Sequence, residues 1–196
     1  MKPMKTLLAF LIGLLLATAA FAAPETYAID PTHSSMTFTV RHMVISNVKG
    51  RFTDFSGTLI YDEQDITKSS VEIIIKAASI NTDVKQRDDH LRSADFFDVA
   101  KYPEITFKST RIEKKGESQV AIGTLTMHGV SREVAIAFKI GGKAKDGSGA
   151  TRLGAEAALK INRNDYGISW NMTLDNGGVL VGNDVQLELN VEAIKK

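Results

Sequence analysis

The sequence predicts an all-β domain built from antiparallel strands. Two observations lead to this prediction: apolar and polar residues alternate over long stretches, and turn sequences separate these stretches. The alternation has a period of two residues over residues 71–75, 134–140, 153–161 and 185–191. Such alternation is typical of strands with one buried and one solvated face. Further apolar runs at residues 36–45, 57–61, 105–112 and 120–127 bring the number of strands to about eight.

Turn sequences mark the boundaries of these runs. They lie at residues 113–116, 141–149 and 176–178, and all three contain glycine. Many short strands with such turns indicate a β-sandwich or a β-barrel. The chain has no cysteine, so it lacks the Cys…Trp…Cys pattern of an immunoglobulin-type sandwich. Periodicity alone does not choose between the two architectures, but closure into a barrel would remove the edge strands that long alternating runs otherwise expose.

The first 22 residues have the pattern of a cleavable secretory signal peptide. Lys2 and Lys5 precede an apolar run over residues 7–16, and Ala20 and Ala22 offer a small-x-small cleavage site. The run is too short for a comfortable membrane span, which needs about 20 residues, although a retained membrane anchor is the alternative. We therefore expect residues 1–22 to be removed and residues 23–196 to form a single domain in the periplasm.

Composition restricts the function further. The 196-residue chain carries a formal net charge of +1 and no block of basic residues, which argues against nucleic acid as a partner. The absence of cysteine excludes thiol catalysis and thiolate metal sites. A chain of this length buries enough surface to fold as one domain without disulfides.

One connection is far longer than a hairpin needs. It runs from about residue 81 to residue 103, whereas hairpin connections usually have two to five residues. Residues 83–91 have helical spacing, with Thr82 or Asp83 as the candidate N-cap, and Asp95 could begin a second short turn. The sequence thus predicts one or two short helices across one end of the domain.

Four motifs together resemble the YceI-like family. They are YAIDPTHSS at residues 27–35, FTVRHM at residues 38–43, the charged and aromatic segment 83–109, and GTLTMHGV at residues 123–130. Members of that family are exported, lipocalin-like barrels that bind polyisoprenoids. The resemblance implies an eight-stranded antiparallel barrel holding an isoprenoid quinone or a polyprenyl phosphate, with no required cofactor beyond the bound lipid. Carrier, storage and stress-protection roles are all compatible with it.

The histidines and acidic residues do not form a recognisable catalytic or metal motif. The chain has four histidines but no Gly-x-Ser-x-Gly elbow and none of the common zinc or calcium spacings. Asp30 and Pro31 indicate a turn at a strand entry, with His33 bonded locally. We expect no catalytic residue and no metal. Two alternatives stay open: a lipid-acting hydrolase or isomerase using His42 or His90, and a ligand-free barrel that binds a protein partner.

The candidate ligand site combines an apolar lining with a polar mouth. The predicted lining residues are Phe38, Val40, Phe52, Phe55, Ile73, Ile75, Leu91, Phe96, Phe97, Phe107, Met127, Phe138 and Trp170. The predicted mouth residues are Arg41, His42, Arg87, His90 and Arg92. Arginine suits a phosphate head group because its guanidinium donates two parallel hydrogen bonds. Transient contact with a membrane and a homodimer are both compatible with such a site.

Overall fold

The computed structural model describes residues 23–116, 118–175 and 177–196. The predicted signal peptide therefore lies outside the described residues. Eleven strands are present: β1 Glu25–Ile29, β2 Ser35–His42, β3 Ser46–Phe52, β4 Phe55–Tyr61, β5 Ser70–Lys76, β6 Ile80–Asn81, β7 Glu104–Lys115, β8 Ser118–Met127, β9 Val130–Lys145, β10 Thr151–Asn162 and β11 Val181–Lys195. The helix α1 spans Lys85–Arg92, and short 3-10 turns span Ile66–Lys68, Ala77–Ser79 and Arg163–Tyr166. In the part of the chain given above, no helix combines the length and hydrophobicity needed to cross a bilayer.

The eleven strands make an eight-stranded antiparallel barrel in which three barrel strands are interrupted. Residues 30–34 interrupt the first barrel strand, which consists of β1 and β2 and pairs with β11 along both parts. Residues 53–54 separate β3 from β4, and residues 77–79 separate β5 from β6. The order then continues through β7, β8, β9 and β10 to β11. Because β1 pairs with both β4 and β11, the ring closes, and the prediction of an eight-stranded barrel is confirmed.

Most predicted strands match observed ones, with two differences at turns. The run over residues 36–45 does not stay extended to its end: β2 stops at His42, and Met43 and Val44 have φ values of 51° and 65°. The turn predicted from Gly141 begins too early, because β9 continues through Gly141 and Gly142 to Lys145. There the pairing between β9 and β10 shifts register at Gly154 and Ala155, so the paired glycines accommodate a bulge rather than a reversal.

Residues 82–103, which we call the cover segment, contain a single helix. The prediction of Thr82 or Asp83 as its cap is wrong, because the N-cap is Val84, which makes no side-chain cap bond. Asp88 in the first turn instead reaches back, and its Oδ1 accepts from the backbone N of Thr82 at 2.8 Å and from Thr82 Oγ1 at 2.5 Å. The second short helix is absent among the described residues, since residues 94–97 form turns.

The cover segment closes a place where strand pairing stops. Among the described strands β6 pairs only with β3. The next strand, β7, pairs with β5 and not with β6. The open edge of β6 is covered by side chains of the cover segment rather than by another strand. Leu91, Phe96 and Phe97 from this segment pack on the main apolar core.

An ion-pair cluster lies at the opposite end of the barrel, where β1 meets β11. Glu25 on β1 accepts from Lys195 Nζ at 2.6 Å and from Tyr27 OH at 2.5 Å. These two hydrogen bonds, first from Lys195 and then from Tyr27, lower the pKa of the Glu25 carboxyl to about 2.

We expect this carboxylate to make stability depend on pH on the acid side. A carboxyl whose pKa is lower in the folded state stabilises that state above its unfolded pKa, and the gain disappears as the pH falls towards 2. Glu25→Gln should lower the free energy of unfolding at pH 7 by up to about 1 kcal/mol and have almost no effect near pH 2. Urea titrations between pH 2 and 7 would measure this. Glu188→Gln, at an exposed position of β11, is the control, and parallel pH profiles for wild type and Glu25→Gln would contradict the expectation.

Candidate functional site

The barrel encloses two apolar cavities. The larger one has a volume of about 150 Å³ and lies beneath the cover segment, where Leu91, Phe96 and Phe97 contribute to its wall. The smaller one has a volume of about 90 Å³, and residues of β1, β4 and β10 contribute to its wall. The side chains that the strands contribute to these walls point inward, because every second residue of a barrel strand faces the interior.

The two cavities adjoin each other at a set of shared wall residues that we call the waist. The waist consists of the four residues that contribute to both walls, Ile73, Phe107, Ile136 and Leu189. Ile73 and Phe107 are directly paired across β5 and β7, which brings two large side chains side by side. The interior is therefore hollow in two parts rather than one open tunnel.

The cavity volumes set the size of what fits without rearrangement. An apolar cavity of about 150 Å³ accommodates a group the size of benzene. Each of the two cavities therefore has room for a short piece of hydrocarbon. A longer chain could occupy both only if the side chains of the waist moved apart.

The structure places most predicted lining residues at these cavities. Ten lie in the wall of the larger cavity: Phe38, Val40, Phe52, Ile73, Ile75, Leu91, Phe96, Phe97, Phe107 and Met127. Phe138 lies in the wall of the smaller one. Phe55 lines neither cavity, although it is buried beside Ile29 and Met36, which do line them. Trp170 also lines neither, and its ring packs against Phe96 and His90.

The predicted polar mouth does not line either cavity. Arg92 donates from Nε to the carbonyl of Ala78 at 2.7 Å and from Nη2 to that of Ile80 at 2.6 Å. Arg87 donates from Nη2 to the carbonyl of Thr82 at 2.8 Å. The two guanidinium groups thus pair with the backbone along the open edge of β6, which explains two arginines here without a head group.

The other three predicted mouth residues lie at two different places in the fold. His90 Nε2 lies 2.9 Å from Asp95 Oδ2, and its ring packs edge-on against Phe96 and Trp170. Arg41 and His42 lie at the end of β2, beside the turn to β3. The histidine ring therefore helps to fix the cover segment on the segment around Trp170.

Among the described residues, the charged side chain that does contribute to the larger cavity is Arg163, which no motif in the sequence indicates. Arg163 is 4% exposed. Its guanidinium donates to five acceptors: the carbonyls of Gly182, Ile168, Trp170 and Val181, and Oδ1 of Asn183. Burial lowers the pKa of this guanidinium below its ordinary value. Among the residues described, no carboxylate lies within 4 Å of it, so carbonyl oxygens alone solvate this cation.

The first histidine motif has a structural explanation. His33 Nδ1 lies 2.8 Å from Asp30 Oδ2, which Arg152 Nη1 also contacts at 2.8 Å. Ser34 Oγ donates to the carbonyl of Glu192 at 3.1 Å, so its hydroxyl is already engaged. Hydrogen bonds from Thr32, Arg152 and His33 hold the pKa of the Asp30 carboxyl well below its usual range. The predicted strand-entry turn is confirmed, and it is the interruption between β1 and β2.

The closed antiparallel barrel and its apolar cavities place this chain in the class of small β-barrels with a hydrophobic interior. The family model described as the YceI-like domain matches residues 27–193, and the chain belongs to this family.

Relatives and solved structures agree with that assignment. A UPF0312 protein of Photorhabdus laumondii is 40% identical over 164 residues, which is 83% of this chain and 85% of that protein. Protein YceI of Salmonella newport is 36% identical over 194 residues, 98% of each chain. The crystal structure of a Campylobacter jejuni YceI protein matches with 36% identity and a TM-score of 0.67, covering 80% of this chain and 90% of that one.

Two more distant structures share the fold. Burkholderia cenocepacia BcnA has a TM-score of 0.73 at 23% identity, covering 84% of this chain and 98% of its own. A polyisoprenoid binding domain from Saccharophagus degradans has a TM-score of 0.63 at 18% identity, covering 87% and 98%.

Proposed function

We propose that this chain is an exported, non-enzymatic binding protein that carries or sequesters a polyisoprenoid-type lipid inside its barrel. The observation that supports this most directly is the pair of adjoining cavities with apolar walls. In the wall of the larger cavity the only polar residues among those described are Thr37, Thr106 and Arg163. An isoprenoid quinone or a polyprenyl phosphate, with its tail inside, is the ligand we propose. The name of the Saccharophagus degradans domain supports the same ligand class.

Hydrocarbon burial provides the driving force. Moving one methylene group out of water contributes about 0.8 kcal/mol, so one five-carbon isoprene unit contributes a few kcal/mol before costs are subtracted. Opening the waist and ordering a flexible tail offset part of this gain. Specificity would then depend mainly on how much tail the two cavities accept.

Arg163 contributes charge rather than a hydrogen bond to a head group. Its five N–H groups all have protein acceptors, so none is left for a ligand without breaking a bond. The positive charge at the wall still favours an anionic or carbonyl-bearing head group over a cationic one. Export through a cleavable segment at residues 1–22 would place the protein in the periplasm, where a free polyisoprenoid needs shielding from water.

A binding role accounts for the histidines better than a hydrolase or isomerase does. Neither His42 nor His90 contributes to the walls of the two cavities. His90 is engaged with Asp95 and held between two aromatic rings. A catalytic group must reach the reacting atoms of its substrate, and neither side chain does so for a ligand in these cavities.

Native mass spectrometry of the protein purified from the periplasm of its own host tests the proposal. We expect a species heavier than the polypeptide by the mass of one isoprenoid amphiphile, released as an intact lipid on denaturation. Protein that never carries a lipid, even after incubation with isoprenoid quinone and polyprenyl phosphate, would contradict the proposal. Chemical turnover of the added lipid would instead support the enzymatic alternative.

The smaller cavity should limit tail length. Ala157 lies in its wall, so Ala157→Phe would fill much of a space of about 90 Å³ with a phenyl ring. We expect this variant to retain short isoprenoid tails and to bind long ones at least about ten-fold more weakly. Ala158→Phe, at the neighbouring exposed position, is the matched control. Competition between short-chain and long-chain quinones, measured by native mass spectrometry, gives the ratio, and an unchanged ratio would contradict the prediction.

A further inference from the structure

Two adjacent turns at one end of the barrel expose large apolar side chains. The first turn joins β2 to β3 and contains Met43, Val44 and Ile45, and the second contains the described residues 172–175 and 177–180. Together they form what we call the apolar tip, with exposed fractions of 38% for Met43, 55% for Val44, 76% for Ile45, 57% for Met172 and 40% for Val179. The turns contact each other, because the backbone N of Met43 donates to the carbonyl of Leu180 at 2.8 Å.

The first turn uses residues that its backbone disfavours. The backbone N of Ile45 donates to the carbonyl of His42 at 3.1 Å, and both central residues, Met43 and Val44, have positive φ. This conformation favours Asn-Gly, and a β-branched residue such as valine is strained there. Folding alone therefore gives no reason for a methionine and a valine at this turn. Strained backbone of this kind occurs often at functional sites.

Three backbone groups of the first turn have hydrogen-bond partners within the protein. The amide of Met43 pairs with Leu180, the amide of Ile45 pairs with His42, and the carbonyl of Val44 accepts from Arg41 Nε at 3.0 Å. Backbone groups that enter the apolar part of a bilayer need such partners.

Arg41 lies at the base of the turn, and no carboxylate of the described residues is within 4 Å of its guanidinium. Its Nη1 donates to Asn47 Oδ1 at 3.3 Å, which leaves the positive charge without a carboxylate partner and able to attract a lipid phosphate.

We propose that the apolar tip docks on the surface of a lipid bilayer, with the side chains of Met43, Val44 and Ile45 among the acyl chains and Arg41 at the level of the phosphates. Asp175 on the second turn offsets the positive charge of Arg41. Insertion of apolar side chains, rather than net charge, therefore dominates the attraction to the bilayer. Docking brings the larger cavity close to the membrane, because Val181 in its wall directly follows Leu180. Docking of this kind goes beyond lipid capture and can be measured without it.

The test is binding to vesicles of phosphatidylcholine, with and without phosphatidylglycerol, by protein purified after export. The double variant Met43→Asn, Val44→Gly installs the residues that the turn prefers while removing apolar surface. We expect its partition to both kinds of vesicle to fall at least ten-fold, while its melting temperature stays equal or rises. Arg41→Gln should remove the additional binding to phosphatidylglycerol vesicles and leave binding to phosphatidylcholine. Val84→Ser removes an exposed side chain (46% exposed) that lies in neither turn of the tip and lines neither cavity, and it should change neither.

Three results would overturn the proposal. They are absence of wild-type binding to either vesicle, equal binding by wild type and the double variant, and equal loss caused by Val84→Ser. A dimer seen by sedimentation velocity that the double variant abolishes, without vesicle binding, would assign the tip to a second copy of the chain. Native mass spectrometry keeps this test separate from lipid capture, since the double variant should still load an isoprenoid in detergent solution.

Discussion

Replacing Arg163 by methionine is expected to lower the free energy of unfolding by about 3 kcal/mol or more, although none of the described carboxylates forms an ion pair with it. The guanidinium joins the end of β10 to the segment around Ile168 and Trp170 and to the beginning of β11. Methionine fills similar space but donates nothing, so several buried carbonyl groups lose their partner at once. Each such group costs about 1 kcal/mol or more when it stays dry.

Urea denaturation at equilibrium measures the effect, with Arg132→Met as control. Arg132 is exposed and donates from Nε to the carbonyl of Asp165, so its loss should cost less than about 1 kcal/mol. Arg163→Lys should remain well below wild type, because an ammonium has three donors and no planar fork. A change below about 1 kcal/mol for Arg163→Met would show that water replaces the guanidinium at little cost.

Placing an aspartate at Phe107 is expected to abolish lipid loading. Phe107 is 5% exposed and belongs to the waist, so its side chain faces both cavities. A carboxyl group there holds water whether it is ionised or protonated, and a hydrocarbon tail would have to displace that water without replacing its hydrogen bonds. We expect at least a ten-fold loss of bound isoprenoid.

Phe107→Leu is the matched control for this substitution, since it keeps the site apolar and opens the waist. It should load as well as wild type or better, and circular dichroism would verify that both variants keep the barrel. A folded Phe107→Asp protein with full loading would place the tail outside the interior. Loss of loading in both variants would mean that the shape of the phenyl ring, rather than its polarity, decides binding.

The strands were predictable because each has one dry and one wet face. The alternation over residues 185–191 and 153–161 appears directly in β11 and β10, which pair along their length. The same period in β2 and β7 predicts that Phe38, Val40 and Phe107 face the interior. Closure into a barrel rested on the family resemblance together with the need to remove edges.

The polar part of the site was not predictable from local sequence. Arg163 follows β10 in a polar stretch typical of a surface turn, and its burial depends on Ile168, Trp170 and residues 181–183 folding back over it. Arg87 and Arg92 lie in a charged helix, and their partners are backbone carbonyls of a strand edge that the sequence does not reveal. The waist depends on the volumes of side chains from several different strands, and no single segment encodes it.

The open edge of β6, where strand pairing stops, has a mechanical consequence. Elsewhere around the ring, neighbouring strands can separate only by breaking a row of backbone bonds together. Along β6 the cover segment is held instead by hydrogen bonds from Arg87 and Arg92 and by the packing of aromatic rings, so its displacement would break no row of backbone bonds. A long hydrocarbon tail could then enter between β6 and the cover segment, and the barrel strands would not have to separate to admit it.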